Sequence, residues 1–228
     1  MKKIFLLLIM LTSLGITAQT KSELKKHFED YYTQMKKQGD VQGVINAMTH
    51  LDVIEPSQAR KDTLAYIYVT EGRNMEALNT IGIDKNPSDS DINVEAKAVA
   101  LKALNQPKRA LEQYEVLFER HPNANLAYEI GDLKIQLQDV EGAKTSIEYG
   151  LANVKDEMRR TFYETQQPYQ TSLKAALLYL KALAIFTENQ DENVESALAI
   201  MNRALAIDPN FNLAKISKDA LLARNKEK

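Results

Sequence analysis

The sequence predicts an all-α solenoid, about five helix-turn-helix repeats stacked in tandem and closed by a C-terminal capping helix. Three observations predict it. Turn-forming residues recur with a period of 33, at Gly39, Gly72, Asn105 and Gln138. Apolar columns on either side of these turns keep the same period. The 228 residues hold 8 Gly and 6 Pro and no Gly-rich cluster, a composition that favours helices over a turn-rich β architecture.

Residues 1–18 stand apart from this pattern. Lys2 and Lys3 precede an apolar run from Ile4 to Leu11, and a smaller, more polar stretch leads to Ala18. That order is the signature of a secretory signal peptide cut after Ala18. The apolar run is shorter than the roughly 20 residues a membrane-spanning helix needs, so no span is expected after cleavage. Loss of two lysines leaves 27 basic residues (two fewer than 29) against 31 acidic ones, a net charge of −4. An acidic chain is a poor partner for nucleic acid. With no Cys, disulfides, thiolate chemistry and a lipid anchor on an N-terminal Cys are excluded. The expectation is an exported protein, periplasmic or secreted and not lipid-anchored, in a bacterial cell envelope.

The period then places the repeats at about 25–57, 58–90, 91–123, 124–151 and 173–210. Tyr32, Ala65, Ala98 and Gly131 form one column, and Val44, Ala77, Ala110 and Ala143 another. Four residues after the second column stand Met48, Ile81, Tyr114 and Ile147, on the same helical face. A small residue lets neighbouring backbones approach, and the large one fills the space between them. Asp40 and Asp139 sit where N-caps of second helices belong, Pro107 suits a first turn, and Pro56 and Pro122 close second helices. From Ala143 to Ala197 is 54 residues, 21 more than one period, so an insertion lies at about 152–172. It reads as a longer helix pair with a bend at Pro168, or as a recognition element grafted on the solenoid. A last helix over 211–226 places Leu213, Ile216, Ala220 and Leu221 on its apolar side.

These columns resemble the signature of the tetratricopeptide repeat. Ala77 with Ile81, Ala110 with Tyr114, Ala143 with Ile147, and Ala197 with Met201 followed by Pro209 carry the resemblance, over roughly residues 25–210. Lys97 and Lys134 occupy columns that the family fills with apolar or aromatic residues, and Asp84 replaces a closing apolar residue. The resemblance implies that partners bind the concave surface formed by the first helices of the repeats. Its carboxylate-clamp subclass, which holds an acidic chain terminus, does not fit the acidic residues found there.

No GxGxxG, GxxxxGK[ST], GxSxG or HExxH pattern occurs, so the sequence offers no case for an enzyme and calls for no cofactor. His27 and His50 fall in the two helices of one repeat, but no third ligand marks a metal site. Oxygen side chains between Asp84 and Glu95 imitate a calcium loop, with Asp89 where its sharp turn requires Gly. They read as an inter-repeat loop in which Ser90 or Asp89 caps the next helix. The candidate site is a stripe on the first helices. Glu29, Asp62 and Glu95 are spaced by 33 and followed by Tyr128, with Thr33, Tyr66 and Asp132 in the adjoining column. On stacked helices such positions lie about 9 Å apart. An acidic, partly aromatic groove for a peptide or protein segment carrying Lys or Arg is expected, against the plainer reading of a solvated helix face. The function so read is a non-enzymatic interaction scaffold or adaptor binding another envelope protein. The alternative is a glycan- or peptidoglycan-binding helical repeat whose platforms, with no Trp, would be Tyr and Phe.

Overall fold

The computed structural model describes residues 20–226, and the segment read as a signal peptide lies outside the described residues. Five antiparallel helix pairs follow one another: α1 (Lys21–Gln38) with α2 (Val41–Ile54), α3 (Gln58–Thr70) with α4 (Asn74–Ile81), α5 (Asp91–Ala103) with α6 (Pro107–Arg120), α7 (Ala124–Gln136) with α8 (Val140–Asn153), and α9 (Leu173–Glu188) with α10 (Val194–Ile207). The final helix, α11 (Asn212–Lys226), packs on α10.

The period of the turns has a backbone cause. Gly39, Gly72, Asn105 and Gln138 have φ of 72°, 72°, 55° and 63°, the left-handed region in every case. Each closes its helix with the same two hydrogen bonds. The amide of Gly39 donates to the Lys36 carbonyl and that of Asp40 to Met35; Gln138 and Asp139 donate likewise to Ile135 and Lys134. This is the Schellman closure, which needs a left-handed residue, and Asn and Gln accept that conformation at a cost that Gly avoids. Asp40, Ser57, Ser90, Asn123 and Asp139 then cap the following helices through their side chains, and Pro107 occupies the first turn of α6.

Packing follows the columns. Ala65, Ala77, Ala98, Ala110 and Ala143 are fully buried, as is Ile147. Gly131 lies so close to the next helix that a Cβ would stand 2.9 Å from the Ile147 side chain. Two large adjoining cores result, one running from α3 to α7 and one from α7 to α11, with smaller clusters between α2 and α3 and between α10 and α11. Lys97, at an apolar column, is also buried. Its ammonium reaches the loop after α4, where it pairs with Asp89 (2.5 Å) and donates to the Asp84 carbonyl (2.9 Å).

Two expectations are corrected. The insertion is neither a longer helix pair nor a bend: it is a β-hairpin, β1 (Arg159–Phe162) antiparallel to β2 (Tyr169–Ser172), in register Arg159↔Ser172 to Phe162↔Tyr169. Arg160, Phe162, Tyr169 and Thr171 share the face turned to the helices, an alternation of period two that helix-based reading passes over. The solenoid is thus helical apart from this one ribbon among the described residues. In α11 Leu221 is buried and Leu213 packs on the core as expected, but Ile216 (56%) and Ala220 are exposed; Ala214 and Phe211, just before the helix, complete the buried side instead.

Candidate partner-binding site

The structure separates the predicted stripe into open and occupied positions. Glu29 on α1 and Glu95 on α5 are exposed, and Tyr66 on α3 is 45% exposed. Asp62 is buried. Its carboxylate accepts hydrogen bonds from Gln58 (2.8 Å), Asn93 (2.7 Å) and Ser90 (2.6 Å), so it braces α3 against the start of α5. The Thr33 hydroxyl turns back to the Glu29 carbonyl. Tyr128 and Asp132 on α7, expected on an open groove, lie beneath cations of the chain itself.

Those cations come from two directions. Lys102, near the end of α5, reaches Glu129 Oε2 and Asp132 Oδ2, both at 2.6 Å. Arg160 of β1 lays its guanidinium 3.8 Å from the centre of the Tyr128 ring and donates to Glu129 Oε1 at 2.7 Å. Burial would push the Glu129 carboxyl up, but Arg160 and Lys102 outweigh it and hold the group below its ordinary range. Burial likewise keeps the Tyr128 hydroxyl neutral. The hairpin that carries Arg160 has its own seat. Phe162 packs on Phe211 (5.1 Å between ring centres), Tyr179 of α9 meets Phe211 edge-on, Thr171 donates to Asp208, and the Leu173 amide donates to the Met158 carbonyl. The hairpin therefore covers the side of α7, α9 and the start of α11 that an open groove would need.

What stays open lies before it. Between α5 and α7 a cleft of about 420 Å³ has Val99, Tyr114 and Leu117 among its lining, with Asp91, Glu95 and Glu129 as acidic walls. Burial pushes the Tyr114 hydroxyl pKa up, so it offers a neutral surface. Asp91 is held low by Arg120, at 2.8 Å, with His121 on its other oxygen at 2.9 Å. Glu95 has no cationic partner among the described residues. The cleft can therefore take a segment that offers apolar contact and a positive charge, and Glu95 is the carboxylate left to meet it.

Other candidate ligands of the sequence are accounted for. The ring of His50 stacks on Phe28 at 4.2 Å and that of His27 meets Phe28 edge-on, so an aromatic ring stands between the two imidazoles. In the loop that imitates a calcium site, the oxygens face ammonium and guanidinium: Lys97 holds Asp84 and Asp89, and Arg120 holds the carbonyls of Pro87 and Asp89. Ser90 caps α5. Among the described residues no helix is long and apolar enough to cross a membrane. The sequence reading missed Asp91, Lys102, Glu129 and Arg160. Lys102 shares a 33-residue column with Lys36, which is exposed, and Val69, so the column alone does not mark it; Arg160 lies 31 residues beyond Glu129, outside any repeat.

No protein-family model matches the sequence, and no curated protein matches it. Solved structures do resemble the fold. A tetratricopeptide repeat protein from Parabacteroides merdae aligns over 87% of this chain and 72% of its own, with a TM-score of 0.66 and 17% identity. The MamA protein aligns over 82% of this chain and 93% of its own, with a TM-score of 0.61 and 13% identity. The fold is accordingly that of a tetratricopeptide-repeat solenoid, all-α in class.

Proposed function

We propose that the protein is a non-catalytic interaction scaffold that takes a basic segment of another protein on the open half of its inner face. The observation that carries this reading is Glu95, an exposed carboxylate with no cationic partner among the described residues, on the wall of an apolar-floored cleft. Glu29 and Tyr66 extend the same face towards the first repeats, and a segment lying along it has acids above and apolar surface below. The other half lies under the hairpin, where Arg160 already holds Tyr128 and Glu129. The tetratricopeptide-repeat fold supports the scaffold reading because such a stack presents a long face and no built catalytic centre.

The test is binding of a labelled octa-lysine peptide followed by fluorescence anisotropy. Replacing Glu29 and Glu95 together by Gln is expected to weaken it about tenfold or more, and raising salt from about 0.05 to about 0.5 M to weaken binding to the unmodified protein. Unchanged affinity in the double variant removes the reading. The glycan alternative gains nothing from the cleft, where Tyr114 is 5% exposed and presents no ring face to a sugar.

We place the protein outside the cytoplasm, in a bacterial envelope and with an envelope protein as partner, on the strength of the charged, apolar and small-residue order of residues 1–18. Sequencing the N-terminus of the protein recovered from the periplasmic fraction is expected to begin at Gln19; an intact Met1 in the cytosol overturns the placement.

A further inference from the structure

The seat of Arg160 is made for a guanidinium, and it borders the open cleft. Glu129 belongs to both: it is a wall of the cleft between α5 and α7, and its Oε1 holds Arg160. A segment that runs along the cleft past Glu95 meets, at its far end, a carboxylate already paired with an arginine of the chain. We propose that this seat, formed by Tyr128 and Glu129, is an arginine-recognition subsite, and that an arginine of the bound segment exchanges with Arg160 there. The proposal rests on the scaffold reading above and specifies its partner as arginine-bearing.

Four features favour exchange. The seat combines a flat ring 3.8 Å from the guanidinium carbon with a carboxylate at 2.7 Å, an arrangement that rewards a planar, delocalised cation and gives less to an ammonium. Arg160 keeps 23% of its side chain accessible, so the seat has an approach from solvent. The hairpin backbone is held without it, by Phe162 on Phe211, by Thr171 on Asp208 and by the Leu173 amide, so the side chain can leave while the strand stays. Lys102 remains on Glu129 Oε2 and on Asp132 after Arg160 departs, which keeps the carboxylates in place and limits the uncompensated charge.

Exchange has a measurable signature. A tethered arginine competes at an effective concentration of about millimolar or higher, so the apparent affinity for an outside arginine is reduced by the fraction of time the seat is empty. Removing Arg160 lifts that reduction. Labelled octa-arginine and octa-lysine are titrated at 0.15 M salt against the full chain, Arg160→Met, Arg160→Lys and Glu95→Gln. Arg160→Met is expected to bind octa-arginine about tenfold tighter than the unmodified chain and octa-lysine less than about threefold tighter, since the methionine leaves the ring and carboxylate empty. Adding Glu129→Gln to Arg160→Met is expected to erase the gain.

Should Arg160→Met fail to give the circular dichroism of a folded solenoid, Arg160→Lys, which keeps the ion pair and loses the stack, carries the test, with a smaller gain for octa-arginine expected. Unchanged or weaker octa-arginine binding in the folded variant overturns the exchange, as does an equal gain for octa-lysine. Loss of binding in Glu95→Gln with no effect at Arg160 overturns the exchange alone and leaves the scaffold reading standing. Absence of binding in every form overturns both.

Discussion

Lys97 is where a single side chain departs furthest from what its column asks for. A methylene stem fills the apolar position and the ammonium emerges at the loop after α4, meeting Asp89 and the Asp84 carbonyl. Removing one partner of a buried pair is costly, so Lys97→Ala is expected to lower stability by about 3–5 kcal/mol, and Lys97→Met by less because the stem is kept; urea unfolding followed by circular dichroism measures both. The turns allow a prediction of opposite sign. Gln138 has φ of 63°, and Gln138→Gly is expected to raise stability by up to about 1 kcal/mol through relief of left-handed strain, a gain read as a higher urea midpoint. At Gly131 an added methyl would stand 2.9 Å from the buried Ile147, so Gly131→Ala is expected to cost about 1–3 kcal/mol in the same assay.

At the scale of the element, the hairpin decides the most. Its pH response follows from Glu129. The folded carboxyl has its pKa lowered from 4.5, so its contribution to stability is present above the unfolded value and is lost as pH falls through the folded one. The thermal midpoint is expected to fall on acidification below about pH 4.5, and the Glu129→Gln protein to lose less of its own midpoint over that interval. An equal fall in both sinks the assignment. The hairpin was also the least legible element in the sequence. Four-residue strands carry too little period-two signal to stand out, and the pairing of Arg160 with Glu129 spans 31 residues, beyond what local spacing reveals. The turns were legible for the converse reason: four left-handed closures at one interval impose Gly, Asn or another tolerant residue on the chain directly. Glu29 and Glu95 are exposed, as their column suggests. Asp62 sits in the same column yet is buried, since Asn93 on the next helix and Ser90 that caps it claim its carboxylate, and a column does not report that.

Across the whole molecule, stability is distributed along a line. The helix α1 has no buried residue, whereas α9 buries nine between Leu173 and Ala184, so protection is expected to rise from the N-terminal pair towards the second core. Hydrogen exchange should find α1 exchanging first and α9 last; uniform protection contradicts the linear picture. Removal of residues 20–54 is accordingly expected to leave the remaining four pairs cooperative in thermal unfolding.

Tandem repeats invite the view that any hairpin can be copied, deleted or moved. Asp62 bonded to Ser90 and Asn93, and Lys97 bonded to Asp84 and Asp89, forbid it in one place. Residues 58–120 travel as a single cassette: a transplanted 91–120 would carry a stranded ammonium inside an apolar layer and an Asn93 amide without its carboxylate, and a transplanted 58–90 a buried carboxylate that keeps Gln58 and Ser90 but has lost the Asn93 donor.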